Sequence, residues 1–148
     1  MSHMVFFLIA AASGATMALQ GTFNSALGKT IGVTQATLVV HGMGTIVAAL
    51  VLFAPGFGKE GFSRLTQAPW YAYLGGALSV AIVYGVAVSI PKLSVSNATT
   101  AIIVGQVTTA LIIDSFGWFG VEKLDMTWLR AVGLVLLAAG AKLLLVKV

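Results

Sequence analysis

The first apolar stretch of the sequence places Thr16, Gln20 and Asn24 at intervals of four, so on a helix they project from nearly one face, with Ser13 close by. A side-chain amide carries donors and acceptors on one group. In lipid it is unfavourable unless something bonds it, so Gln20 and Asn24 must face protein, water or a solute. Two readings follow: interhelical hydrogen bonds worth about 0.6 kcal/mol each, or a polar wall on a substrate cavity. The second stretch repeats the spacing with Thr37, His41 and Thr45, flanked by Gly42 and Gly44. An intramembrane imidazole is a candidate proton relay or ligand, because such a ring changes charge near neutral pH. A neutral ring bonded to a neighbouring helix is the equal alternative. The third stretch carries Ser79 and Tyr84, the latter offering a hydroxyl and a cation-attracting ring face. The fourth carries Gln106 with Thr108 and Thr109, then Asp114, the one acid adjoining an apolar run. A carboxylate at a helix centre costs about 2.5–3.5 kcal/mol on insertion scales. Its place near the end of the run points to an interfacial carboxylate, with a coupling acid as the alternative. His41 and Asp114 are therefore the candidates for ion coupling. No nucleophile, base and orienter are spaced for catalysis, no glycine-rich loop follows a strand, and no cluster has metal-ligand spacing. The sequence calls for no enzyme and no cofactor.

The composition sets the solvent in which these groups must work. The chain has 148 residues, 59% hydrophobic and 8% charged, with no cysteine, and a mean hydropathy of +1.03. A soluble domain needs roughly a quarter charged residues to face water, so an ordinary soluble enzyme is excluded. Disorder is excluded by the hydrophobicity, and a disulfide scaffold by the missing cysteines. The net charge of +4 does not mark a nucleic-acid binder, since the Lys and Arg residues are scattered singly between apolar runs rather than gathered in a stripe. Met1-Ser2-His3-Met4 reads as a cloning remnant, which leaves His3 without a role. The first apolar run lacks the basic start of a signal peptide and is too long for one.

Crossing the ~30 Å hydrocarbon core takes about 20 mostly apolar residues. Five segments qualify, at about 5–27, 34–53, 70–90, 97–115 and 128–146. Runs such as Ala101-Ile102-Ile103-Val104 do not alternate as barrel strands would. The fold class is therefore an all-α integral membrane bundle of five helices, one domain over residues 1–148. Gly28, Lys29 and Gly32 mark the first turn, and Pro55 to Gly61 opens the longest loop, which Pro69 closes. Pro91 follows the third span, Gly117 and Gly120 lie in the fourth joint, and Asp125-Met126-Thr127 caps the fifth helix. No internal repeat stands out.

Counting Lys and Arg by side gives four against four. Lys59, Arg64, Lys123 and Arg130 share one side, and Lys29, Lys92, Lys142 and Lys147 the other. Because the Lys/Arg excess sets orientation, a tie predicts insertion both ways. The alternative is one orientation, with Lys142 inside the fifth span and snorkelling. Trp70, Tyr71, Trp118, Phe119 and Trp128 all fall at ends facing one side, so an antiparallel pair would give both interfaces aromatic residues. A small-residue stripe of Gly14, Gly21, Ser25 and Gly28 lets another helix or a substrate approach the first helix. Gly133 and Gly140, seven apart on the fifth, form a notch for packing within the chain or for dimerisation.

The segments Gln20-Gly21-Thr22-Phe23-Asn24-Ser25-Ala26-Leu27-Gly28 and Pro69-Trp70-Tyr71-Ala72-Tyr73-Leu74-Gly75-Gly76 resemble the YdcZ-like branch of the drug/metabolite transporter superfamily. So does Gly105-Gln106-Val107-Thr108-Thr109-Ala110-Leu111-Ile112-Ile113-Asp114-Ser115-Phe116-Gly117, and the likeness runs from about Ala15 to Leu145. The resemblance implies a five-helix unit equivalent to half of a ten-helix inverted-repeat transporter, and an exporter of small solutes in the inner (plasma) membrane. The Gly133/Gly140 helix is similar to the dimerising last helix of the small multidrug resistance transporters. Those relatives carry a glutamate in the first helix as a proton-coupled cation site; this chain has only Gln20 and Asn24 there.

These readings converge on a secondary transporter of a small polar solute, working as an antiparallel homodimer around a midplane cavity with alternating access. Gln20, Asn24, His41, Tyr84 and Gln106 would line the path. A heterodimer with a paralogue, a dual-topology ion channel and a non-transporting half of a larger transporter are the alternatives.

Overall fold

The computed structural model describes residues 3–54 and 60–145. Five long helices account for most of them: α1 (His3–Ile31), α2 (Val33–Phe53), α3 (Leu74–Leu93), α4 (Val95–Phe116) and α5 (Trp128–Leu145). Each is long and apolar enough to cross a membrane, and no strand occurs among the described residues. Short 3₁₀ turns at Glu60–Gln67, Trp70–Tyr73 and Trp118–Gly120 fill the joints. Pro55 to Lys59, Val146 and Lys147, which entered the sequence reading as loop, span end and counted charges, lie outside the described residues.

The helix ends correct the expected boundaries in two places. α1 does not stop before Gly28 but runs on to Ile31. Its 29 residues measure about 43 Å, longer than the hydrocarbon core; a glycine inside a helix costs only about 1 kcal/mol, so Gly28 need not end it. The break comes at Gly32, with φ 92° and ψ 145°, a region open essentially to glycine alone. One residue thus separates α1 from α2. The Gly32 amide donates to the Gly28 carbonyl (3.0 Å) and its own carbonyl accepts from Ala36 (2.9 Å). Pro91, expected beyond the third span, sits inside α3, which continues to Leu93. The missing N–H falls in the last turn, where only the carbonyl of Ala87 loses its donor.

A second one-residue break joins α3 to α4. Ser94 takes φ 76° and ψ 162°, accepts from the Asn97 amide on its hydroxyl at 3.4 Å, and accepts from Ala98 on its carbonyl at 3.1 Å. The residues around the two breaks match in type: Ile31-Gly32-Val33-Thr34-Gln35-Ala36-Thr37 against Leu93-Ser94-Val95-Ser96-Asn97-Ala98-Thr99. In both, the alanine at the fourth place after the break is buried. This local echo is short enough to be lost among apolar residues when only the sequence is read.

The chain divides into two compact units, Met1–Lys92 and Leu93–Val148. In the first, α1 packs along α2. α3 meets α1 where Gly21 has no side chain: a Cβ there would lie 2.8 Å from Val86 Cγ1 and 3.2 Å from Ile90 Cδ1. In the second unit α4 packs along α5. Gly117, at φ 64°, ends α4 in the left-handed conformation, donating to Asp114 and Ile113. The Asp114 carbonyl also accepts from the Leu124 amide at 2.9 Å. Thr127 caps α5, as its position implied, by accepting from the Arg130 amide at 3.3 Å, and the Arg130 guanidinium donates to the Asp125 carbonyl.

Most of what is buried is small. The buried residues include Gly21, Ser25 and Gly28 on α1, with Ala36, Ala87, Ala98 and Ala141 on the other helices, and no large side chain is fully buried among the described residues. Phe7, Leu38 and Leu143 are each more than two-thirds exposed. Lipid tails are as apolar as leucine, so large side chains gain nothing by turning inward, and close approach of backbones over glycine and alanine holds the helices together.

Candidate functional site

The polar side chains of the spans fall into two groups. Most hydroxyls bond the carbonyl four residues back on their own helix: Ser13, Thr16, Thr22 and Thr30 on α1, Thr37 and Thr45 on α2, Ser89 on α3, and Thr108 and Ser115 on α4. These groups are satisfied within one helix and can face lipid at little cost. The side-chain amides of Gln20 and Asn24 have no hydrogen-bond partner among the described residues, so the interhelical bonds weighed for them are not formed there. The row Thr16, Gln20 and Asn24 is also divided. Thr16 and Gln20 are exposed, whereas Asn24 is only 5% exposed. Asn24 joins the inward line Gly21, Ser25 and Gly28, and Gln20 lies at its edge.

His41 is the most firmly positioned of the candidates. Its Nδ1 lies 2.8 Å from the Thr37 carbonyl oxygen and its Nε2 lies 2.8 Å from the Ser79 hydroxyl on α3. A carbonyl only accepts, so Nδ1 carries the proton, and in the neutral ring Nε2 accepts from the Ser79 hydroxyl. The ring therefore pins α2 to α3, the structural alternative raised for it from the sequence. Ser79 had been noted only as a polar residue of the third span; two helices had to be brought together before its partner could be known. Tyr84 follows Val83 on α3 and is 47% exposed while Val83 is buried, so it stands off the inward line of Val83, Ala87 and Ile90.

In the second unit, Gln106 is exposed at the middle of α4. Asp114 is half-buried in the last turn of that helix, where its charge opposes the helix dipole. Gly133 is exposed and Gly140 half-buried on α5, and a Cβ at either would meet nothing within 4 Å. The three tryptophans occupy the joints: Trp70 and Trp128 are more than two-thirds exposed, and Trp118 stacks on Phe116 with centroids 5.1 Å apart. Among the described residues no group of His, Asp and Glu could hold a metal ion.

Unpartnered amides in an otherwise self-satisfied apolar frame suit hydrogen bonding to a neutral or zwitterionic polar group. Residues 5–143 match the model of the DMT YdcZ family, described as "Putative inner membrane exporter, YdcZ". The chain belongs to that family. No curated protein and no solved structure matches it. Membership in the YdcZ family, with five membrane-spanning helices, makes this a multi-pass transporter of the inner membrane. An exporter family is not an enzyme class.

Proposed function

We propose that this YdcZ-family chain is a secondary transporter of a small polar solute, acting as an antiparallel, dual-topology homodimer with alternating access about a midplane cavity. One observation carries the reading. Gln20 stands exposed on a membrane-spanning helix with its amide unbonded among the described residues, one turn from the buried and equally unbonded Asn24. The hydrocarbon core supplies no partner, so water, a second copy or a solute must. The balanced count of four Lys/Arg on each side supports a partner of opposite orientation, and the open glycine positions of α5 support a close helix contact.

In this scheme Asn24 and Gln20 bind the solute, with Tyr84 and Gln106 completing the path. His41 is occupied by Ser79 in the described state and could exchange that bond for one to solute when α2 and α3 shift. Asp114 is the charged candidate for coupling.

Proteoliposome uptake of a panel of radiolabelled amino acids, polyols and small amides tests the scheme. Gln20→Ala and Asn24→Ala are each expected to lower transport of the accepted solute at least ten-fold with the dimer intact. Unchanged saturable transport in both variants rejects the first-helix wall. Non-saturating ion current would instead identify a channel, and activity only with a co-expressed paralogue a heterodimer.

A further inference from the structure

A cleft of about 200 Å³ opens in the first unit where the C-terminal turns of α1 and α3 meet the start of α2. Gly28, Val33, Ala87, Val88 and Pro91 give it an apolar lining. Pockets that enclose a whole drug-sized ligand measure about 300–1,000 Å³. This one accommodates a segment of a longer molecule.

Its polar members are arranged by depth. Lys29 and Lys92, in the last turns of α1 and α3, line the cleft at the ends of their spans. Both are exposed, and neither has an ion-pair partner among the described residues. The one acid in residues 1–92 is Glu60, separated from each lysine by a whole span of sequence. Ser25 lies one turn below Lys29, about 6 Å deeper along the axis. It lines the cleft and is only 3% exposed. The other α1 hydroxyls bond back to their own helix, whereas that of Ser25 has no hydrogen-bond partner among the described residues. Among the described residues no side-chain polar atom is both buried and unbonded, so the Ser25 hydroxyl opens on the cleft and is free to donate to an acceptor at that depth.

We propose that the cleft is a binding site for an anionic phospholipid. The phosphate lies at the headgroup level against Lys29 and Lys92, a glycerol ester carbonyl one turn deeper accepts from the Ser25 hydroxyl, and an acyl chain runs down the apolar lining. Two unpaired cations select the negative headgroup, the hydroxyl matches the ester, and the small volume matches one chain.

Native mass spectrometry of the full chain released from mixed micelles tests this, with phosphatidylglycerol and phosphatidylcholine of identical acyl chains offered in equal amounts. The expected result is at least five-fold preferential retention of phosphatidylglycerol. That preference disappears in Lys29→Gln/Lys92→Gln and persists in Lys29→Arg/Lys92→Arg. Val88→Phe, which crowds the lining, lowers retention of the lipid with helical content unchanged by circular dichroism. Inorganic phosphate at millimolar concentration leaves the bound lipid in place. Equal retention of the two lipids, a preference that survives loss of both lysines, its loss in the arginine pair, or displacement by phosphate each overturns the proposal, the last in favour of a free-anion site.

Discussion

Replacing Gly21 by alanine adds one methyl group at the closest approach of α1 and α3. The new Cβ would lie 2.8 Å from Val86 Cγ1 and 3.2 Å from Ile90 Cδ1, where carbon atoms at ease are about 3.5–4.0 Å apart. Val86 must therefore retreat by close to the difference. A valine on a helix has one strongly preferred χ1 rotamer, so the retreat becomes a rotamer change or a helix shift. Overpacking of this kind costs about 1–3 kcal/mol, against which alanine returns about 0.8–1 kcal/mol of helix propensity over glycine. A net loss of up to about 2 kcal/mol is expected for Gly21→Ala in the full chain. Trimming the neighbour should reverse it, giving Gly21→Ala and Val86→Ala a favourable coupling of about 1–2 kcal/mol, within the range for residues in contact. The assay is SDS-induced unfolding of the parent, both single variants and the double variant in detergent micelles, followed by circular dichroism. If the coupling lies within about 0.3 kcal/mol of zero, or if Gly21→Ala is more stable than the parent by the full propensity gain, then α3 does not rest on α1 at this glycine.

Removal of the Ser79 hydroxyl leaves His41 Nε2 without its donor, and Ser79→Ala is expected to cost about 0.5–1.5 kcal/mol in the same unfolding assay. ¹⁵N NMR of histidine-labelled protein at a pH where the ring is neutral should show the Nδ1–H tautomer for His41; the Nε2–H tautomer would contradict the Thr37 carbonyl contact. The two one-residue breaks should respond in opposite directions. Gly32→Ala puts a side chain at φ 92° with a Cβ 2.5 Å from Gln35 Oε1, and a loss of about 2–3 kcal/mol is expected. Ser94→Gly relieves a positive φ of 76° and should stabilise by about 1 kcal/mol, less the small contribution of its 3.4 Å cap. Gly133→Leu meets open space among the described residues, so helical content should hold while the cross-linked dimer fraction falls several-fold; an unchanged fraction removes Gly133 from the interface.

The fold was legible because the hydrocarbon core sets helix length, and five charge-free runs of that length have few other uses. The ends were harder to place. Nothing in the letters around Gly28 separates a glycine continuing a helix from one ending it, and only the positive φ at Gly32 settles where α1 stops. The candidate residues were legible by type but not by state. Period alone set Thr16, Gln20 and Asn24 on one face, but their exposure depends on where neighbouring helices reach, and that divided the row. The pairing of His41 with Ser79 spans 38 residues, and the Ser25 cleft is formed by three helix ends. Such tertiary neighbours leave no local pattern. The echo between the two breaks was present in the residues but became meaningful only when both proved to share one backbone conformation.

The proposed mechanism depends on the chain inserting in both directions. Because the sequence has no cysteine, a single Thr66→Cys variant, at an exposed site between α2 and α3, can be labelled with a membrane-impermeant maleimide in intact cells and again after permeabilisation. Dual insertion predicts that about half of the protein is labelled from outside and the remainder only after permeabilisation. Labelling that is complete from outside, or absent until the membrane is opened, would show a single orientation and contradict the antiparallel pair.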